Sequence, residues 1–347
     1  MRFSSARLLT PVVALVIAGC GSSSPASSTT ASPTASGAAS TSTAASSAAA
    51  PAPAVAELDA AQHPRTSMFP AARGRSLRTL AALVGSSAQF GAATGTFTPG
   101  TRRLAFGLNA RSGAFIYAPT AVYVAKSAGA PAQGPFLAPA DPMTVPAADR
   151  SAQNAGPGGI QAIYAARLPL PGPGTYTVLS ITRTSQGLIG APGEVAVARS
   201  SPIPDVGQRV PDITTDTAAS VQGNVSLLTT RRPPEQMHSV SLHEVLGKKP
   251  IALLFSTPQF CVSRVCGPVT DVTVALQHEF GGRVTFIHEE VYAHNRPKAG
   301  LRAQMMAFHL QTEPWLFTIN RHGIITARLE GAFGTTELAQ ALRAALR

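Results

Sequence analysis

Two of the chain's three cysteines, Cys261 and Cys266, lie together in the stretch FCVSRVCGPV with four residues between them. Thiols at that spacing allow three chemistries: exchange of electrons with another thiol pair, capture of a soft metal such as Cu(I), or closure of a local staple. A staple across about six residues removes only about 2 kcal/mol of unfolded-state entropy, so a bond kept purely for stability would more usefully join distant segments. Pro268 suits the first turn of a helix, where its missing N–H costs nothing. The free N–H groups of a helix starting there would favour a thiolate on Cys266.

The third cysteine has a different use. The opening MRFSSARLLTPVVALVIAGCGSSS places Arg2 and Arg7 before an apolar run too short to span a bilayer, followed by small residues and Cys20. This resembles a bacterial lipoprotein signal. The resemblance implies that residues 1–20 are the signal, that Cys20 becomes a lipidated N-terminus, and that the protein is held on the extracytoplasmic face of the cell membrane. Residues 21–57 are almost entirely Ser, Ala, Thr, Pro and Gly, which cannot offset the entropy of ordering and read as a disordered tether. No later stretch approaches the roughly 18 uncharged apolar residues of a membrane span, so lipid is the expected anchor. Outside the cytoplasm, disulfides persist.

The formal net charge of +11 comes from 24 Arg and 4 Lys scattered along the chain. It is compatible with anionic lipid or wall polymer, but without a dense basic run or interleaved aromatics it points away from nucleic acid. No cofactor is expected.

Two regions of different character follow the tether. Residues 58–205 contain the short alternating runs RRLAFGLNA, TAVYVAK, GIQAIYAARLPL, GTYTVLSITR and GEVAVARS, broken by turn clusters, which predict a β-sandwich. The phrase LPLPGPGTY at 168–176 is similar to a hairpin of extracellular immunoglobulin-like domains. The long Pro-rich stretch 127–158 carries no pattern, and loops of that length are functional or disordered. In 206–347 the order becomes strand (251–255), helix (269–280), strand (283–291), helix (301–309), two strands (315–320 and 324–330) and helix (336–346). That order predicts an α/β sheet covered by helices.

Here a resemblance can be stated. GQRVPD at 207–212, VSL through KKP at 240–250, Glu313-Pro314 before WLFTI, and INRHGIITARLEG resemble, in order, motifs of extracytoplasmic thioredoxins, peroxiredoxins and Sco-type copper chaperones. The expected fold class is therefore an all-β immunoglobulin-like sandwich joined to a C-terminal α/β thioredoxin-like domain. The resemblance implies thiol-disulfide exchange with protein partners on the outer membrane face, with Cys266 as nucleophile, Cys261 as resolving thiol and disulfide partner, and Pro314 as the cis-proline beside them.

The match is imperfect. The family's Cys-Gly-Pro-Cys is Cys266-Gly267-Pro268-Val269 here, and the connection from Phe255 is longer than the family's, with Cys261 in the extra residues. A noncatalytic module whose disulfide only pins this loop therefore stays open. Copper carriage also stays open, with Cys261, Cys266 and His309 as ligands, although the spacing is CxxxxC and Glu313 stands about where the chaperones keep a histidine. A peroxidase is disfavoured, since Pro258 stands where peroxiredoxins keep a Thr or Ser before the cysteine. Glu289 and Glu290, adjacent in a strand, point to opposite faces and cannot act as a pair.

Overall fold

The computed structural model describes residues 55–347; the expected signal, Cys20 and nearly all of the tether lie outside them. Helix α1 (Val55–Gln62) takes up the last three residues assigned to the tether, and α2 (Leu77–Ala81) follows, capped by Ser76, whose hydroxyl accepts from Thr79 N. Then come β1 (Ser86–Ser87), β2 (Gln89–Ala92), β3 (Gly100–Asn109), β4 (Thr120–Ala125), β5 (Gln133–Leu137) and β6 (Ala140–Pro142). The long strands β7 (Ala162–Leu170), β8 (Gly174–Thr184) and β9 (Gly187–Val197) complete this half. The five alternating runs lie on β3, β4, β7, β8 and β9.

These strands make two sheets, ordered β1-β9-β8-β4-β5 and β2-β3-β7-β6, which share one core that includes Phe106, Val122, Val124, Tyr164 and Val178. Every residue of β4 is buried. Val122 and Val124 face that core, while Ala121, Tyr123 and Ala125 turn the other way against Phe69, Leu77 and Leu80, so α2 and its flanks roof the outer face.

The remaining elements are α3 (Leu242–Val245), β10 (Ile251–Phe255), α4 (Cys266–Phe280), β11 (Thr285–Glu289), α5 (Ala303–Ala307), β12 (Trp315–Ile319), β13 (Ile325–Glu330) and α6 (Thr335–Ala345). Their sheet runs β11-β10-β12-β13; only β10 and β11 are parallel, and the other pairings are antiparallel.

The expected fold class is corrected by this arrangement. The described residues are mostly β, in three sheets with few helices, and they do not divide into an immunoglobulin-like domain and a self-contained α/β thioredoxin-like domain. Helices α3 and α5 span a single turn or little more and build no covering layer. Ala105, Met143, Val145 and Ile163 of the first half belong to the same apolar core as α4, α6 and one face of β10 and β12. Alternation and helical periodicity report each element's own faces, not which distant element covers them, and that is where the reading failed.

Polar contacts join the halves as closely as the apolar ones. Asp141 accepts from the N–H groups of Gly334, Thr336 and Glu337 at 2.8–3.0 Å and so caps α6 from the opposite half. Arg103 forks onto Glu337 at 2.6 and 2.7 Å and donates to the carbonyls of Glu330 and Ala332. Gly331, at φ +71°, lies so close to Ala93 that a Cβ there would sit 1.7 Å from its carbonyl oxygen. Only glycine meets both demands.

Candidate functional site

The cysteines sit where β10 ends. After Phe255 the chain passes buried Ser256 and Thr257, turns through 258–265, and enters α4 at Cys266. The loop is held from several sides. Ser256 N donates to Glu289 O at 3.1 Å, Gln259 N to Thr230 Oγ1 at 3.1 Å, and Thr270 Oγ1 reaches back to Cys266 O at 2.8 Å. Arg264, at φ +59°, makes the reversal just before the helix.

Both cysteines are free thiols. Cys266 is fully buried and Cys261 is 8% exposed. Their surroundings rank them opposite to the sequence expectation. The Cys266 thiol donates to Cys261 and, against burial, brings its pKa from 9.0 to about 6, with help from Ser263 Oγ at 3.2 Å and the backbone N–H groups of Cys266 and Val265. Burial instead pushes Cys266 well above the ordinary thiol range, and the hydrogen it gives to Cys261 and the negative charge there push the same way. The helix start adds to this, because its free N–H groups point back along the axis, toward the residue upstream, and so act on Cys261.

Two further groups complete the site. The Glu313–Pro314 peptide is cis, and Pro314 O accepts from Gly331 N at 2.8 Å, joining this turn to the end of β13. Glu313 is half-buried; burial, then the charge at Cys261, raises its pKa from 4.5 to about 7. Its carboxyl therefore titrates near neutrality, and its charge acts on Cys266. Trp315 is a core residue, fully buried, stacked on Phe317 and bonded through Nε1 to Thr312.

The first half of the chain roofs the site. Asp271 on α4 accepts from Ser151 N at 2.9 Å, Ser151 Oγ at 3.1 Å, Asn154 Nδ2 at 3.0 Å and Arg231 Nε at 2.9 Å. A Cβ on Gly267 would lie 2.7 Å from Gln153 O, so the backbone at 151–154 rests directly on the helix start. This is why Cys266 has no exposed surface. The Pro-rich stretch that the sequence left open thus carries β5, β6 and this roof. A cavity of about 480 Å³, which neither cysteine lines, is bounded by Ser263, Val265 and Glu313 on one side and by Phe115, Tyr117 and Tyr164 on the other.

His309 is exposed, in left-handed backbone, and the grouping of metal-capable side chains found among the described residues does not include it or either cysteine. The structure puts the cysteines after the end of β10 and the Glu313–Pro314 turn before β12, its neighbour; sequence reasoning did not foresee Ser263, the raised pKa of Glu313 or the roof. No protein-family model matches the sequence, and no curated protein matches it either.

Proposed function

We propose that this chain carries out thiol-disulfide exchange with protein partners, with Cys261 as the attacking thiolate and Cys266 as its buried partner. The observation that supports it is the unequal pair itself. Ionisation of one sulfur is favoured by the other's proton and by helix N–H groups, whereas a structural staple needs no ionisation.

In the reducing direction the Cys261 thiolate attacks one sulfur of a partner disulfide, forming a mixed disulfide and releasing the other partner sulfur as a thiolate. Cys266 then loses its proton, for which the Glu313 carboxylate is the nearby acceptor, and attacks Cys261 Sγ. The Cys261–Cys266 bond forms and the second partner thiolate leaves. Two electrons pass from the pair to the partner, and the reverse sequence oxidises a dithiol. Pro314 positions the turn that carries Glu313.

The work is proposed to take place on the extracytoplasmic face of the membrane, with lipid on Cys20 as anchor. No described helix is long and apolar enough to cross a membrane. The test is trapping. In cells, Cys266→Ala should accumulate mixed disulfides through Cys261 in the membrane fraction, and adding Cys20→Ser should move them to the soluble fraction. Absence of any Cys261-linked species in Cys266→Ala would overturn the exchange reading.

A further inference from the structure

A second cluster of reactive side chains lies behind Ser256 and takes no part in the exchange chemistry. Segment 229–238 runs along the outer edge of β11, where His288 N donates to Met237 O at 3.0 Å. From that segment Glu235 sends Oε1 between two imidazoles, 2.7 Å from His238 Nε2 and 2.5 Å from His288 Nδ1, while its Oε2 accepts from Thr229 Oγ1 at 2.9 Å. All three side chains are buried, and their ligand atoms lie within 4.8 Å of one another.

The hydrogen-bond directions constrain what sits among them. His288 Nε2 lies 3.1 Å from Ser256 O, and a carbonyl only accepts, so that nitrogen carries its hydrogen. In a neutral ring Nδ1 is then a lone pair aimed at a carboxylate lone pair, and something positive must lie between them. Glu290 Oε2 and His238 Nδ1 are also buried without a hydrogen-bond partner. The Nε2–H to Ser256 is the type of outer bond that fixes a metal-ligating tautomer.

We propose that Glu235, His238 and His288 form a divalent transition-metal site. Imidazole and carboxylate donors suit Zn²⁺ or Co²⁺, whereas Cu(I) prefers thiolates. Burial makes the role structural, since the ion would tie segment 229–238 to β11 and underpin Ser256. Ser256 Oγ in turn bonds Thr270 Oγ1 at 2.7 Å, the same hydroxyl that holds Cys266 O. Binding releases the proton shared by Glu235 and His288. The site stands independently of the exchange reading.

The test uses the full chain carrying Cys261→Ser and Cys266→Ser, which removes competing thiolates. It is unfolded in detergent and guanidinium with a chelator, then refolded with Co²⁺ and desalted. Retention of one equivalent, with visible d–d absorption, no thiolate charge-transfer band, and displacement by Zn²⁺, is the expected result. His288→Gln, His238→Gln and Glu235→Gln should each weaken retention by about tenfold or more. Refolded protein that retains no Co²⁺, or nitrogen NMR showing His288 protonated on both nitrogens in excess Zn²⁺, would overturn the proposal without any variant. Unchanged retention in all three folded variants would also overturn it.

Discussion

Alkylation of the reduced protein should follow the ionisation of Cys261 alone, with a midpoint near pH 6. The size of the effect follows from the site. With a pKa of about 6 in place of the ordinary 9.0, Cys261 is about 90% thiolate at pH 7, where an ordinary thiol is about 1%. Intrinsic nucleophilicity falls with pKa at a slope of about 0.45, which returns a factor of about 20 over three units, so the net advantage at pH 7 is only about fourfold. At pH 5.5 the fractions are about 24% and about 0.03%, and the advantage after the same correction is about 30-fold. Measurement therefore belongs below neutrality. The assay is iodoacetamide labelling between pH 4.5 and 9, with the modified residue located by mass spectrometry and rates normalised to their own plateau, because partial burial of Cys261 slows every point alike. Cys266→Ala removes the leading cause of the shift and should move the midpoint up toward 9, while Cys266→Ser, which keeps a donor, should stay lower. In Cys261→Ala, native Cys266 should resist labelling below pH 9. A wild-type midpoint above about pH 8, or Cys266 as the first residue labelled, would refute the ranking.

Glu313 gives a linked prediction for stability and rate. Its folded pKa, about 7, lies above the ordinary 4.5, so its contribution to stability is fully present below about pH 4.5 and is lost as pH rises through 7. Urea denaturation should therefore show Glu313→Gln gaining on wild type between pH 5 and 8 and matching it near pH 4.5; the same variant should slow closure of the Cys261–Cys266 bond after partner attack, measured by stopped-flow thiol release. An unchanged pH slope would remove Glu313 from the argument. Asp271→Ala should cost about 3 to 5 kcal/mol, because it leaves Arg231 charged, buried and unpaired, and the loosened 151–154 segment should let native Cys266 be alkylated. Stability within 1 kcal/mol of wild type by the same denaturation would show that the roof does not depend on that carboxylate.

Much of the local structure was legible in the sequence because it is written in short-range pattern. The alternation in TAVYVA marks β4, and the apolar run IALLF marks β10. That Pro314 lies beside the cysteines was an expectation from a resemblance carried by spaced motifs. What was not legible depends on contacts far apart in the chain. Nothing in Asp141 announces that it caps α6 nearly two hundred residues later, and nothing in Ser151 or Asn154 announces Asp271 as their acceptor. Those contacts fuse the halves and overturn the expected division into two fold classes. The order of the two thiols depends on a contact of the same kind, since which sulfur faces the free N–H groups follows from the turn through 258–265, whose course no periodicity specifies. Glu235 and His238 stand three residues apart in PPEQMHSVS, yet their meeting with His288 is likewise tertiary.

The central claim is that the pair is built to exchange electrons, and its reduction potential tests this most directly. Equilibration of the purified protein against dithiol buffers of graded potential, with the Cys261–Cys266 bond quantified after acid quenching, gives the value. A thiolate stabilised as Cys261 is favours the reduced form, so the account predicts a potential well above about −300 mV. A bond that stays closed below about −300 mV would contradict it and make the cysteines a staple for their own loop.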